Sequence, residues 1–288
     1  MSDEVPETPA TVDRARSFGP VAEAYDRGRP GYPAEAAGWL AGGEAKVVLE
    51  LAAGTGKLTR QLVDQGHAVF ATEPDEAMLA VLRERVPEVS AKVATAEEIP
   101  ANDRSVDVVV VAQAFHWFDH ETALPEIARV LKPGGHVALV WNSRDERIPW
   151  VRRMGDILGR QDLDTSSAEQ LVHSDLFGFM EETTFKHWQE IDRESILDMA
   201  RSRSSFAVMG EAERERHLAE VLDFYDDFGR GMDGMRVPYV TRCYRAVVVD
   251  RDEPPSHADG SDGPDDERPD GPVVSDGTDT DMLLIDFR

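Results

Sequence analysis

The chain has 288 residues, 41% of them apolar, and its 31 Lys/Arg stand against 56 Asp/Glu for a net charge of −25. At about 150 residues per domain this allows one large domain or two ordinary ones, with enough apolar residues for a real core. The acidity argues against nucleic-acid and membrane-surface partners, which need clustered basic charge, and the single Cys243 excludes an intramolecular disulfide and cysteine-based zinc sites.

Residues 1–12 are acidic, lack the apolar stretch of a secretory signal, and read as disordered. The most apolar stretch, Val106 to Ala114, is broken by Asp107 and Gln113 and falls far short of the ~20 residues that span a bilayer. A cytoplasmic protein is expected. Residues 13–45 read as an N-terminal segment able to fold over a ligand as a lid, bringing Tyr25, Arg27, Arg29 and Tyr32.

Val47 to Leu51 is an apolar run ending in a glycine-rich turn, the pattern of a buried strand. Lys57 to Gln65 follows as a helix, stopped by Gly66. His67 to Thr72 reads as the second strand and Asp75 to Val86 as the second helix, capped by Asp75. Ala91 to Ala94 is a short third strand, and Asp107 to Ala112, with four consecutive valines, a fourth. A helix is predicted between Asp119 and Leu131, with Pro125 in its first turn. Lys132 to Gly135 reads as a turn and His136 to Trp141 as the fifth strand. Further on, Glu182 to Gln189 and Val237 to Val249 read as strands, and Ser195 to Arg203 and Glu211 to Phe228 as helices. The sum is an α/β fold: a doubly wound, seven-stranded, mostly parallel sheet closed by an antiparallel pair. Residues 46–142 read as its ligand-binding core and 143–250 as its later helices and last strands. Residues 251–288 carry twelve Asp/Glu against three Arg, and this stretch reads as an acidic disordered tail whose apolar end is Met282 to Phe287.

The loop after the first strand, Ala52-Ala53-Gly54-Thr55-Gly56, lets the backbone approach a ligand at a helix N-terminus. A dinucleotide site needs a third glycine where this chain has Thr59. Glu50, just before the loop, would repel a pyrophosphate and suits a cationic amine. Glu73, 17 residues after Gly56, is placed to accept hydrogen bonds from ribose hydroxyls. A nucleoside with a cationic tail and no phosphate satisfies both acids, and S-adenosylmethionine is one.

These residues resemble the class I S-adenosylmethionine-dependent methyltransferases. The resemblance rests on Val48 to Gly56, Thr72 to Leu79, Ala94 to Pro100, Asp107 to Asp119 and Glu126 to Gly135, in that order. It implies that Gly54 and Gly56 line the methionine part, that Glu50 orients the amino end, and that Glu73 takes the ribose hydroxyls. It further implies that Ala96 and Glu97 border adenine and that Gln113 reaches the methionine part. Ala52 stands where relatives usually carry Gly, which is tolerable with ordinary backbone angles, and Thr95 where many carry an adenine-binding Asp.

Methyl transfer is an in-line displacement that needs alignment and exclusion of water. Acceptor pockets in such sheets lie beyond the carboxyl ends of the strands. That edge supplies Phe115-His116-Trp117-Phe118 and Asn142-Ser143-Arg144. His116 is a candidate base or orienting donor, set against plain packing of the aromatic cluster. Tyr25, Arg29, Trp117 and Arg144 are candidate acceptor contacts. Ala114 to Asp119 is similar to the branch that includes trans-aconitate methyltransferase, which implies a small organic acceptor with carboxylates among the candidates. Two other functions stay open at this point: a non-catalytic, cofactor-binding regulatory module, and an NAD-dependent oxidoreductase. The eight His show no metal spacing, His67 and His136 read as structural, and no metal is expected.

Overall fold

The fold is that of a computed structural model, which describes residues 26–160, 165–203, 206, 208–228 and 234–249. Tyr25, the segment 1–12 and the tail 251–288 lie outside the described residues. Helix α1 (Ala34–Ala41) precedes β1 (Val47–Leu51), α2 (Lys57–Asp64), β2 (Ala68–Thr72), α3 (Glu76–Arg85), β3 (Ser90–Lys92) and β4 (Val106–Ala112). A 3-10 turn (Phe115–Trp117) and α4 (His120–Val130) lead into β5 (Leu131–Arg144). Then come α5 (Pro149–Leu158), α6 (Glu169–His173), β6 (Phe177–Ile191), α7 (Arg193–Arg201), α8 (Glu211–Phe228) and β7 (Met235–Val248).

The strands form one seven-stranded sheet in the order β3-β2-β1-β4-β5-β7-β6. Neighbours from β3 through β5 are parallel, and β7 runs antiparallel to both β5 and β6. This is the expected doubly wound sheet with its closing antiparallel pair. The strand order reverses between β1 and β4, which opens a crevice beyond their carboxyl ends.

Two cores sandwich the sheet. Leu49, Leu51, Val109, Val111 and Leu139 pack on one face with Leu124 and Ile127 of α4. Val48, Val108, Val110 and Val140 pack on the other with Leu40 of α1 and Leu58 and Leu62 of α2. The run Val108 to Val111 does not alternate because both faces of β4 are covered. Each such side chain contributes about 1.5–3 kcal/mol on burial. Asp107, the polar break in that run, accepts from Val47 N at 2.8 Å and from Lys132 Nζ at 2.9 Å, so its charge is matched at the sheet's amino end.

Several boundaries differ from the sequence expectation. Asp119 accepts from Glu121 N and caps α4, which lies between Asp119 and Leu131 as expected, but Pro125 lies inside the helix, past its first turn. Lys132 to Gly135 belongs to β5 as a bulge: Val106 pairs with Leu131, Val108 with His136, and Gly134 takes the left-handed turn at φ 75°. β5 also runs on to Arg144, because β7 pairs with it as far as Tyr239.

The ladder of β7 closes at Val248, and Val249 N bonds Leu176 O at 2.9 Å. Truncation after Asp250 therefore removes none of these bonds. Thermal denaturation is expected to show a melting temperature within ~5 °C of the full chain. A larger fall would mean that Met282 to Phe287 packs on the domain.

Candidate active site

At the reversal point β1 ends at Leu51, and the chain turns through Ala52 (φ 52°), Gly54 (φ 58°) and Gly56 (φ 84°) into α2. A Cβ on Gly54 would meet no atom within 4 Å, so the backbone there faces open space. At Gly56 the same atom would lie 3.0 Å from Leu82 Cγ, so a side chain there would press on α3. Ala52 does not have ordinary angles. It is left-handed, as the sharp turn demands, at a cost of order 1 kcal/mol that glycine would avoid. Gln113, just past β4, is also left-handed at φ 61°. Strain of this kind gathers at functional sites.

Two acids converge on this loop. Glu50 is buried on the α2 side of β1, and its Oε2 accepts from the Thr59 hydroxyl at 2.6 Å. Burial pushes its carboxyl up to about 8; the Thr59 bond opposes the shift and the nearby Glu73 adds to it. Thr59, which the sequence marks only as a missing glycine, is thus the side chain that holds Glu50. Glu73 accepts from Gly54 N at 2.8 Å and from Asp75 N at 3.0 Å, joining the loop to the end of β2. Burial lifts its carboxyl to about 7 against the pull of those two backbone bonds. Such a cradle repels phosphate and favours a cationic amine and vicinal hydroxyls.

Beside Glu73 opens a cavity of 490 Å³ lined by Pro74, Val93, Thr95, Glu98, Ile99 and Asn102 among others, within the range of about 300–1,000 Å³ of small-molecule sites. Ala96 and Glu97 do not line it. The Ala96 side chain packs in the core, and Glu97 Oε1 accepts from Asp119 N at 3.0 Å. Thr95 and Glu98 face the cavity in their place.

On the other side of β4 lies a polar layer. Gln113 Nε2 donates to Asn142 O at 3.1 Å. Asn142 Nδ2 donates to Gly31 O at 2.9 Å, and its Oδ1 accepts from the Thr241 hydroxyl at 2.6 Å. That hydroxyl has a single proton, committed to Asn142, so His187 Nδ1, 3.1 Å away, is the donor of the next bond. Burial lowers the His187 pKa. Thr241 and His187 carry no signal in the sequence. Only the register of β5, β7 and β6 places them beside Asn142.

The N-terminal segment lies against this crevice. Asp26 is buried, accepts from the Thr55 hydroxyl at 2.7 Å and pairs with Arg85 at 2.6 Å. Arg27 pairs with Asp198 at 2.6 Å. Gly28 approaches α7 so closely that a Cβ would lie 2.6 Å from Met199 N. Arg29 Nη2 donates to Ser202 O at 3.4 Å.

The aromatic cluster is divided. Phe115 is fully buried in the core, while His116 and Trp117 are half-buried with ring centroids 4.6 Å apart. Arg144 is not at an open mouth. Its side chain is 0% exposed, with Nη2 donating to Gly159 O at 2.6 Å and lying 3.5 Å from Glu146. His67 Nδ1 accepts from Lys46 N, and His136 Nε2 meets Leu40 O, both structural contacts. Among the described residues no group of His, Cys, Asp and Glu could hold a metal ion, and no helix is long and apolar enough to cross a membrane.

A doubly wound sheet whose glycine loop is ringed by acids defines a binder of a cationic nucleoside rather than of a dinucleotide. Residues 49–139 match the family model described as a methyltransferase domain. An uncharacterized methyltransferase of Mycobacterium tuberculosis is 42% identical over 239 residues, covering 82% of this chain and 98% of that protein. An uncharacterized methyltransferase-like protein of Schizosaccharomyces pombe is 32% identical over 242 residues, covering 81% and 93%. Among solved structures, a protein of Anaeromyxobacter dehalogenans provisionally named a type II methyltransferase superposes with a TM-score of 0.57 at 25% identity, covering 76% of this chain and 97% of that one. The chain belongs to the methyltransferase family. It is an S-adenosylmethionine-dependent methyltransferase, and the two acids, the open backbone at Gly54 and the adjoining cavity fit that cofactor.

Proposed function

We propose that the protein methylates a small organic acceptor bearing a carboxylate, in the cytoplasm, and that its site residues act as follows. Glu73 accepts the ribose hydroxyls of the cofactor, and Glu50, held by Thr59, faces its amino group. Gly54 and Gly56 let the backbone approach the methionine part, which Gln113 meets from the other side. Thr95 and Glu98 border adenine, with the backbone of Ala96. The bound cofactor supplies an electrophilic methyl group on a sulfonium. The chain's own work is to hold the acceptor in line with it and to exclude water. His116, beside Trp117, is the candidate to orient the acceptor or take its proton.

The observation that carries a small acceptor is the N-terminal segment. Asp26, Arg27, Gly28 and Gly31 each contact the body, so the polar layer at Asn142 is covered and not a surface open to a polymer. The likeness of Ala114 to Asp119 to the trans-aconitate methyltransferase branch supports a carboxylate. At a net charge of −25 an acidic acceptor is repelled at long range and needs a local cation. Arg29, half-buried on the N-terminal segment, offers a planar two-point fork that Lys cannot copy, whereas Arg144 is fully buried and held by Gly159 O and Glu146. Arg29→Lys is expected to raise KM for a carboxylate acceptor at least tenfold, which is about 1.4 kcal/mol, and to leave S-adenosylhomocysteine affinity unchanged. The test is a panel of carboxylic acids, neutral phenols and amines. Methylation confined to the neutral compounds would reject the carboxylate.

A further inference from the structure

Strand β6 ends the sheet and pairs with β7 alone. It is 15 residues long, and after a bulge between Phe177 and Met180 its ladder with β7 runs unbroken to Ile191. The outer edge of such a strand offers a row of backbone N–H and C=O groups to another strand, and proteins blunt such edges with short strands, Pro, bulges or charge. From Met180 to Ile191 the strand has no Pro and no bulge; its guard is charge, and the placement of that charge is self-complementary. Thr183, Phe185, His187 and Gln189 are half-buried, with Phe185 packed against the core that holds α1. Glu182, Thr184, Lys186, Trp188 and Glu190 lie on the opposite face and are exposed, Trp188 by 55%. Glu182 and Lys186 take part in no ion pair among the described residues; the Lys186 charge reaches Asp145, which Arg147 already holds at 2.7 Å.

Two copies of one strand pair antiparallel about a twofold axis, and opposed side chains must share a face of the sheet. An axis at Thr184 sets Glu182 of each copy opposite Lys186 of the other, and Met180 opposite Trp188. On the other face it sets Thr183 opposite Phe185, a β-branched residue against an aromatic one. Opposite-charge and aromatic pairs of this kind stabilise a ladder. Moving the axis by one residue destroys the match: at Thr183 it opposes Met180 to Lys186, and at Phe185 it opposes Glu182 to Trp188. We propose that β6 pairs with β6 of a second copy about Thr184, making a homodimer with one continuous sheet. The chain's own tail is a poor occupant of this edge, because its twelve Asp/Glu would meet Glu181, Glu182 and Glu190. Four strand spacings of about 4.8 Å put β6 about 19 Å from β1, so the interface is apart from the cofactor loop.

The test is sedimentation velocity on the full chain, with light scattering to give the mass. A species of twice the mass of one chain is expected at micromolar concentration. Glu182→Lys and Lys186→Glu each oppose like charges at two places and should weaken the dimer at least tenfold. The double variant opposes unlike charges again and should restore it. Both side chains are exposed, so melting temperature and S-adenosylhomocysteine affinity should stay unchanged in every variant, which verifies folding. Under oxidation Thr184→Cys should link two copies, because it lies opposite itself within disulfide reach, while Glu190→Cys, which lies opposite Gly178, should not. The native Cys243 is buried and does not compete. A full chain that stays monomeric at tens-of-micromolar concentration would overturn the proposal. So would a dimer indifferent to both single substitutions, a double variant that stays monomeric, or a link through Glu190→Cys in place of Thr184→Cys. A dimer lost when the chain is ended at Asp250 would make the tail the occupant and overturn the pairing of the two strands.

Discussion

Glu73→Ala is expected to weaken S-adenosylhomocysteine binding by about 1.5–3 kcal/mol, roughly ten- to a hundredfold or more. Two losses combine. The ribose hydroxyls lose a charge-assisted acceptor, and Gly54 N and Asp75 N lose the carboxylate that ties the loop to the end of β2. The fold itself should survive, because the sheet ladder around β2 is made by backbone bonds to β1 and β3. Calorimetry with circular dichroism on the same sample checks both parts. Unchanged affinity would reject the role given to Glu73.

Cofactor affinity is expected to rise with pH between about 6 and 8, by at most tenfold per unit for each acid that titrates. Glu73 and Glu50 titrate near 7 and 8 in the folded chain, above the ordinary 4.5. Below those values they are protonated, so Glu50 offers no charge to the ligand's ammonium group and Glu73 no charged acceptor to its ribose hydroxyls, and binding to the charged forms releases protons. The same shifts act on stability with the opposite sign. Between pH 4.5 and 8 the folded state keeps protons that the unfolded chain has lost, so the ligand-free protein loses stability as pH rises, by about 1.4 kcal/mol per unit per group at most. Calorimetry in buffers of different ionisation heat counts the protons released. Binding with no proton release at pH 6.5, and a flat melting temperature from pH 5 to 8, would show that neither acid is raised.

The cofactor half of the molecule was legible in the sequence because its signals are local. Four valines in a row mark a strand covered on both faces, and Asp75 caps the helix that it precedes. Glu50, Gly54, Gly56 and Glu73 lie within 24 residues, on two adjacent strands and the loop between them. Thr59 was visible only as an exception to a glycine pattern. Its bond to Glu50 depends on where α2 sits over β1, which no spacing records. The half read as the acceptor side is poorly legible because its contacts are distant. Asn142 and Thr241 are 99 residues apart, and Arg29 and Ser202 are 173 apart. Arg144 looked like a loop residue because the fifth strand reads as ending at Trp141. The long antiparallel pairing with β7 carries that strand three residues further and buries the side chain.

Transfer of radiolabelled methyl from S-adenosylmethionine tests the central claim most directly. The protein is incubated with a metabolite extract filtered below 1 kDa and, separately, with the macromolecular fraction of the same extract. Label should appear in a small anionic product, depend on intact Glu73, and stay absent from protein and nucleic acid. Label found only in the macromolecular fraction would contradict a small-molecule acceptor.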